Sequence, residues 1–277
     1  MSTYTYHDLV NRFSETESQY VKLSIRGHYA LITMNDPDRL NCLSGPMTVQ
    51  LLEKLTQAST NNDVRAIILT GSDPAFSAGG DMELMHMAHD SIGQQSPEGV
   101  TIMRNWIRYQ FGGIARLIKH SEKTVISAIN GAAAGVGLSF AFASDILLGS
   151  EKARIVPAFG KIGLTPEVGT SWYLTRKLGY QRAMEYYLEG REISADQALD
   201  LGILNQVVAH DDLIDAAIAY ADKINQLPSS VVGMTKTLLR RAADITWDQA
   251  IELEEFIEPT CFTTQYHQEA VSRFLER

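Results

Sequence analysis

Two segments built on one plan constrain this chain more than anything else in it. Phe76-Ser77-Ala78-Gly79-Gly80-Asp81 follows the apolar run Ala66-Ile67-Ile68-Leu69-Thr70 and leads into a helix-like stretch, 82–89. Asn130-Gly131-Ala132-Ala133-Ala134-Gly135-Val136-Gly137 follows a strand-like stretch, 124–129, and opens a helical one, 135–144. In both, small residues let a ligand approach the backbone, and exposed N–H groups at a helix start can face a developing anion. Two such turns aimed at one oxygen would form an oxyanion hole. Each also has a plainer reading: a glycine turn capped by Asp81 in the first, close helix packing through small residues in the second. Neither is a phosphate-cradling loop, since no Lys-Ser or Lys-Thr follows the glycines and the dinucleotide spacing is absent.

The surrounding pattern alternates strands and helices. Residues 21–24 and 30–34 pair as a hairpin around Gly27-His28, which stops at Asn35-Asp36-Pro37. Gly45-Pro46 opens an amphipathic helix carrying Met47, Leu51, Leu52 and Leu55. The run at 66–70, closed by Gly71, suits a strand buried on both faces. The same order of elements recurs over 124–149, and from Ser171 onward helix signals dominate. Residues 1–18 read as a short helix or frayed arm. Residues 86–100, with His86, His89, Gly93, Pro97 and Gly99, read as a mobile loop.

Composition excludes several classes. A formal net charge of −9 with scattered Lys and Arg disfavours wide nucleic-acid contact. Two cysteines, Cys42 and Cys261, make neither a disulfide framework nor a zinc set and fit a reducing compartment. The most apolar stretch, 128–149, is interrupted by Asn130, Ser139, Ser144 and Asp145, so it reads as a buried strand, turn and helix instead of a membrane span. A soluble, cytoplasmic protein is expected. Glu83, His86 and His89 share a helical spacing that could hold a metal, but no further ligand supports a site and none is assigned.

The two turns, in this order and at this separation, resemble the paired signatures of the crotonase (enoyl-CoA hydratase/isomerase) superfamily. Three other segments agree: Pro37-Asp38-Arg39-Leu40-Asn41-Cys42-Leu43, where Cys42 replaces a usual alanine; Phe159-Gly160-Lys161-Ile162-Gly163-Leu164-Thr165-Pro166; and the stretch 190–202 containing Ile193-Ser194-Ala195. The resemblance covers residues 20–276. It implies an α/β fold: an arm over 1–19, a spiral of strand-strand-helix repeats over 20–205, and a helical trimerisation region over 206–277. It also implies a homotrimer or hexamer. The substrate would be a coenzyme A thioester, with no separate cofactor. The oxyanion donors map to the N–H groups of Gly80 and Val136, and CoA contacts map to the backbone around Leu40, Ala78, Asp81 and Met82. Family members often continue past this chain's last residues with phosphate contacts, leaving Arg39, Lys236 and Arg277 as candidates.

Which reaction follows depends on the acids lining the site. Hydratases of the family use two glutamates, and alignment places Ser139 and Phe159 at those positions, so the general acid-base pair is missing. Dienoyl-CoA isomerases also need an acid at the Phe159 position. Glu167, in Thr165-Pro166-Glu167-Val168-Gly169-Thr170-Ser171-Trp172, matches the single acid of members that move a double bond between C3 and C2. One carboxylate suits a reaction that takes a proton from C2 and returns it at C4. Phe159, Ile162 and Trp172 would supply apolar surroundings that raise its pKa. The plainer reading of Glu167 is a first-turn or capping carboxylate on the helix that follows. Thioester hydrolysis, dehalogenation, weak hydration and an acyl-CoA-binding scaffold are the alternatives.

Overall fold

The computed structural model describes residues 5–93 and 97–276. Strands β1 (Val21–Arg26) and β2 (Tyr29–Met34) form the expected hairpin, with Gly27 at φ +57° where the turn needs a left-handed residue. Ser44 then caps α2 (Gly45–Thr60) by accepting from the Met47 N–H. Strands β3 (Ala66–Gly71), β5 (Thr124–Ile129), β7 (Ile146–Ser150) and β10 (Gln206–Val208) extend the sheet in the order β1-β2-β3-β5-β7-β10, parallel from β2 onward. Short strands β4 (Ala75–Ser77), β6 (Ala132–Ala134), β8 (Arg154–Val156) and β9 (Ile193–Ser194) make a second sheet.

A repeat is visible in the order. Strands β3 and β4 precede α3 (Met82–Gly93), and β5 and β6 precede α6 (Gly135–Ala143). Each turn of the spiral lays a long strand in the large sheet and a short one in the small sheet.

Every residue of β3 and β5 is buried. Ile67 and Leu69 face a core shared with α2, α5 (Gly112–His120) and α6, while Ala66 and Ile68 face α10 (Leu213–Asn225) through Leu213, Ala217 and Ala221. Alternation thus sends apolar side chains both ways, each buried Ile or Leu contributing about 1.5–3 kcal/mol. The sheet and its covering helix therefore run past residue 205. Helix α6 is buried on all sides apart from Gly135, as expected for a helix without a polar face.

One expectation changes, and one open alternative is decided. Residues 86–100 are mostly helical: α3 runs to Gly93 and α4 begins at Pro97 and ends at Asn105, with 94–96 outside the described residues. Gly93 and Pro97 punctuate helix ends here. The arm is a helix, α1 (Tyr6–Ser14), closed by a Thr5–Asp8 capping box and anchored by buried Leu9.

The chain continues through α7 (Thr170–Leu178), α8 (Tyr180–Glu189) and α9 (Ala195–Asp200). The last three helices, α11 (Ser229–Ala242), α12 (Trp247–Phe262) and α13 (Gln265–Leu275), bury none of their residues. Helix α11 is pinned by Lys236, whose Nζ lies 2.7 Å from Asp145 and donates to the carbonyls of Ile118 and Lys123. Among the described residues no helix is long and apolar enough to cross a membrane.

Candidate active site

The two glycine turns lie side by side because β4 and β6 pair in parallel, Ala75 beside Ala132 and Ser77 beside Ala133. Gly79 sits at φ +90°, and a Cβ there would stand 2.7 Å from the Ala134 carbonyl oxygen. Only glycine allows the backbones to approach so closely.

Asn41 ties the first turn to the rest of the site. It is fully buried at φ +54°. Its Nδ2 donates to the carbonyls of Ser72 (2.7 Å) and Ala75 (2.6 Å), and its Oδ1 accepts from the Asp36 N–H and the Ser72 hydroxyl. All four bonding positions of the amide are used. The Ser77 hydroxyl donates to the Asn41 carbonyl and accepts from the Gly79 N–H. The Ala78 N–H donates to the Leu40 carbonyl at 2.8 Å, which brings those two predicted contacts together. The sequence motif contains Asn41, but its role as a hub appears only in the structure.

The capping reading of Asp81 holds. Its Oδ1 accepts from the Glu83 N–H, capping α3, and also from Arg39 at 2.8 Å. Val136 is the second residue of α6, and the N-cap Ala134 offers no side-chain acceptor. Its N–H has no partner inside the helix, as first-turn amides never do.

Ala78, Gly80, Asp81, Met82, Val136, Phe159 and Glu167 line one cleft of about 580 Å³. Arg39, Cys42, Met85, Lys161, Ile162 and Leu164, most of them outside the predicted set, complete much of its wall. Burial pushes the Cys42 thiol up and keeps it neutral. Phe159 is 2 % exposed. Among the described residues three carboxylates reach the cleft. Asp81 and Glu83 face Arg39 at 2.8 and 3.7 Å. The Glu167 carboxylate has no hydrogen-bond or ion-pair partner among the described residues, and burial alone raises its pKa from 4.5 to about 7.

Glu167 is not a helix cap. Helix α7 starts at Thr170, and Gly169 is its N-cap, without a side-chain bond. Between Glu167 and Val168 the chain crosses from this cleft to a separate cavity of about 710 Å³ lined by Val168, Gly169 and Trp172. The crossing is made at positive φ, +54° at Val168 and +93° at Gly169.

Trp172 therefore does not shield Glu167, which corrects the sequence expectation. It lies beyond the crossing, its ring covered by Lys119 at 4.6 Å and Arg176 at 4.4 Å. Lys236 is corrected too, because its ammonium is committed to Asp145 and two carbonyls, away from the cleft. Arg39 stands at the cleft, and Arg277 lies outside the described residues. Among the described residues no three His, Cys, Asp or Glu side chains gather as a metal site requires.

A family model described as enoyl-CoA hydratase/isomerase matches residues 25–277. The chain is 33% identical over 246 residues to a 1,2-epoxyphenylacetyl-CoA isomerase of Escherichia coli K12, covering 89% of this chain and 91% of that protein. It is 29% identical to 4-chlorobenzoyl coenzyme A dehalogenase-1 of an Arthrobacter species, covering 87% and 85%. A crystal structure of enoyl-CoA hydratase subunit I from Geobacillus kaustophilus HTA426 superposes with a TM-score of 0.83 at 27% identity, covering 94% and 96%.

Proposed function

The chain belongs to the enoyl-CoA hydratase/isomerase family, and from that premise we propose that it moves a double bond of an enoyl-CoA from C3 to C2, with Glu167 as the proton shuttle. The fold is that of the crotonases, and the chain is an acyl-CoA enzyme. Its similar proteins are named for an isomerase, a dehalogenase and a hydratase, so the family leaves the reaction open.

One observation carries the choice: Glu167 is the single carboxylate of the cleft, among the described residues, that is not paired with Arg39. As a carboxylate it removes a proton from C2, and the electron pair moves onto the thioester oxygen as a dienolate. The N–H groups of Gly80 and Val136 face that oxygen and stabilise its charge. The same carboxyl group then returns the proton at C4, the C2–C3 double bond forms, and no water or second acid is consumed. A pKa near 7 suits both halves, because the group must accept the proton and release it. Hydration would require a second acid-base group, and Phe159 and buried Ser139 cannot supply it.

Incubation with a 3-enoyl-CoA, followed by the ultraviolet absorbance of the conjugated thioester, tests this reading. Product should form with the parent protein and not with Glu167→Gln. A parent protein that binds CoA esters yet forms no conjugated product would overturn it. A Glu167→Gln variant that isomerises at the parent rate would remove Glu167 from the mechanism.

The exposed apolar side chains of the last helices support self-association as a homotrimer or hexamer. Trp247, Phe256 and Phe274 are 75, 83 and 77 % exposed in the single chain. Sedimentation velocity should report a species of at least three chains.

A further inference from the structure

Ser139 occupies the position of the first hydratase glutamate, and the structure gives it other partners. It is fully buried in α6, one turn after Val136. Its Oγ lies 2.6 Å from Thr170 Oγ1, 3.1 Å from the Glu167 carbonyl oxygen and 3.4 Å from the Gly135 carbonyl oxygen. Thr170 is fully buried as well and begins α7.

Proton bookkeeping sets the direction of these bonds. Carbonyl oxygens only accept, and the Thr170 hydroxyl has Ser139 Oγ as its one side-chain partner among the described residues. Thr170 therefore donates to Ser139, and Ser139 donates to the nearer carbonyl, that of Glu167. The Thr170 N–H donates to the same carbonyl at 3.1 Å. Both lone pairs of the Glu167 carbonyl are thus engaged, one by α6 and one by α7.

The two residues that follow Glu167 adopt left-handed backbone conformations, and one of them is the β-branched Val168. Such a conformation persists only when its surroundings over-determine it. Resting on the reading of Glu167 as base, we propose that Ser139 and Thr170 are positioning residues, a hydroxyl relay that clamps the Glu167 backbone to α6. One helix then carries the Val136 oxyanion donor at its start and the anchor of the base a turn later. The distance between base and oxyanion hole becomes a property of a single buried element.

Ser139→Ala and Thr170→Val remove the relay with little change of volume, and Thr170→Ser keeps it. Two readouts apply: kcat and KM for 3-enoyl-CoA isomerisation, and exchange of the C2 hydrogens of a saturated acyl-CoA in heavy water followed by NMR. The second reads proton abstraction whatever the later chemistry. Each disabling variant should lose about 10–100-fold in kcat and in exchange rate, since a misplacement near 1 Å can cost 10²-fold, with KM within threefold. Thr170→Ser should recover most of the rate. The acid limb of the pH profile should move down in the disabled variants, because a loosened turn lets water reach the carboxylate.

Unchanged kcat and exchange in both Ser139→Ala and Thr170→Val, beside an inactive Glu167→Gln, would overturn the relay while leaving the base intact. Equal losses in Thr170→Ser and Thr170→Val would also overturn it. Full exchange activity in Glu167→Gln would instead overturn the reading of the base, and the relay with it.

Discussion

Glu167→Gln should make the protein more stable in alkaline buffer and catalytically dead. In the folded chain the carboxyl group has a pKa of about 7, and its ordinary value is 4.5, with burial as the cause. Between those two values the folded state holds a proton that the unfolded state has released, so stability falls as pH rises through this window. At about 1.4 kcal/mol per pH unit, the gap amounts to about 3 kcal/mol of destabilisation above pH 7, fully absent below pH 4.5. Glutamine has no charge to bury, so the variant escapes this cost. With an unfolding entropy near 2.1 cal/mol/K per residue, 277 residues give about 0.6 kcal/mol/K, and 3 kcal/mol becomes about 5 °C in Tm. Thermal unfolding of parent and variant at pH 5 and pH 8 checks this: the variant should melt about 5 °C above the parent at pH 8, and the difference should shrink toward pH 5. In parallel, parent kcat/KM should fall tenfold per pH unit below about 7, because only the ionised carboxylate removes a proton. Equal melting at pH 8 together with an acid limb near 4.5 would refute the claim that Glu167 is desolvated.

Further predictions follow from other contacts. Val136→Pro deletes one oxyanion N–H that has no partner inside the helix, and kcat should fall 10²–10³-fold while calorimetry still shows CoA-ester binding. Gly79→Ala puts a Cβ 2.7 Å from the Ala134 oxygen at a left-handed φ, and urea unfolding should show a loss of about 2 kcal/mol or more. Lys236→Met takes the ion-pair partner from the partly exposed Asp145 carboxylate, which among the described residues keeps only the Val125 N–H, costing about 1–3 kcal/mol in the same assay. Adding Asp145→Asn should restore much of that loss.

The ends of the long elements were legible because their signals are local. Residues 66–70 are an apolar run and 124–129 a mostly apolar, strand-like one, and both became strands buried on two faces. The short strands β4, β6, β8 and β9 were invisible, since two or three residues carry no periodicity and pair only because the spiral brings them together. The loop expected at 86–100 failed for a related reason: Gly93 and Pro97 are breakers in sequence, but here they end and begin helices α3 and α4. Trp172 seemed close to Glu167 at five residues' distance, yet the left-handed residues between them send its ring into another cavity. Backbone direction at Val168 could not be read from a valine, which almost never adopts it.

By itself the order of residues determined which groups this protein can use: two glycine turns, one acid at position 167, and a serine and a phenylalanine where the family resemblance leads one to expect the glutamates of hydratases. Tertiary structure alone decided that residues 80, 136 and 167 line a single cleft, and that, among the described residues, two of its three carboxylates answer to an arginine while the third is left bare. Identity is written along the chain, whereas the acidity of a carboxyl group depends on how much water and which charges surround it, and those are set by parts of the chain far away in sequence.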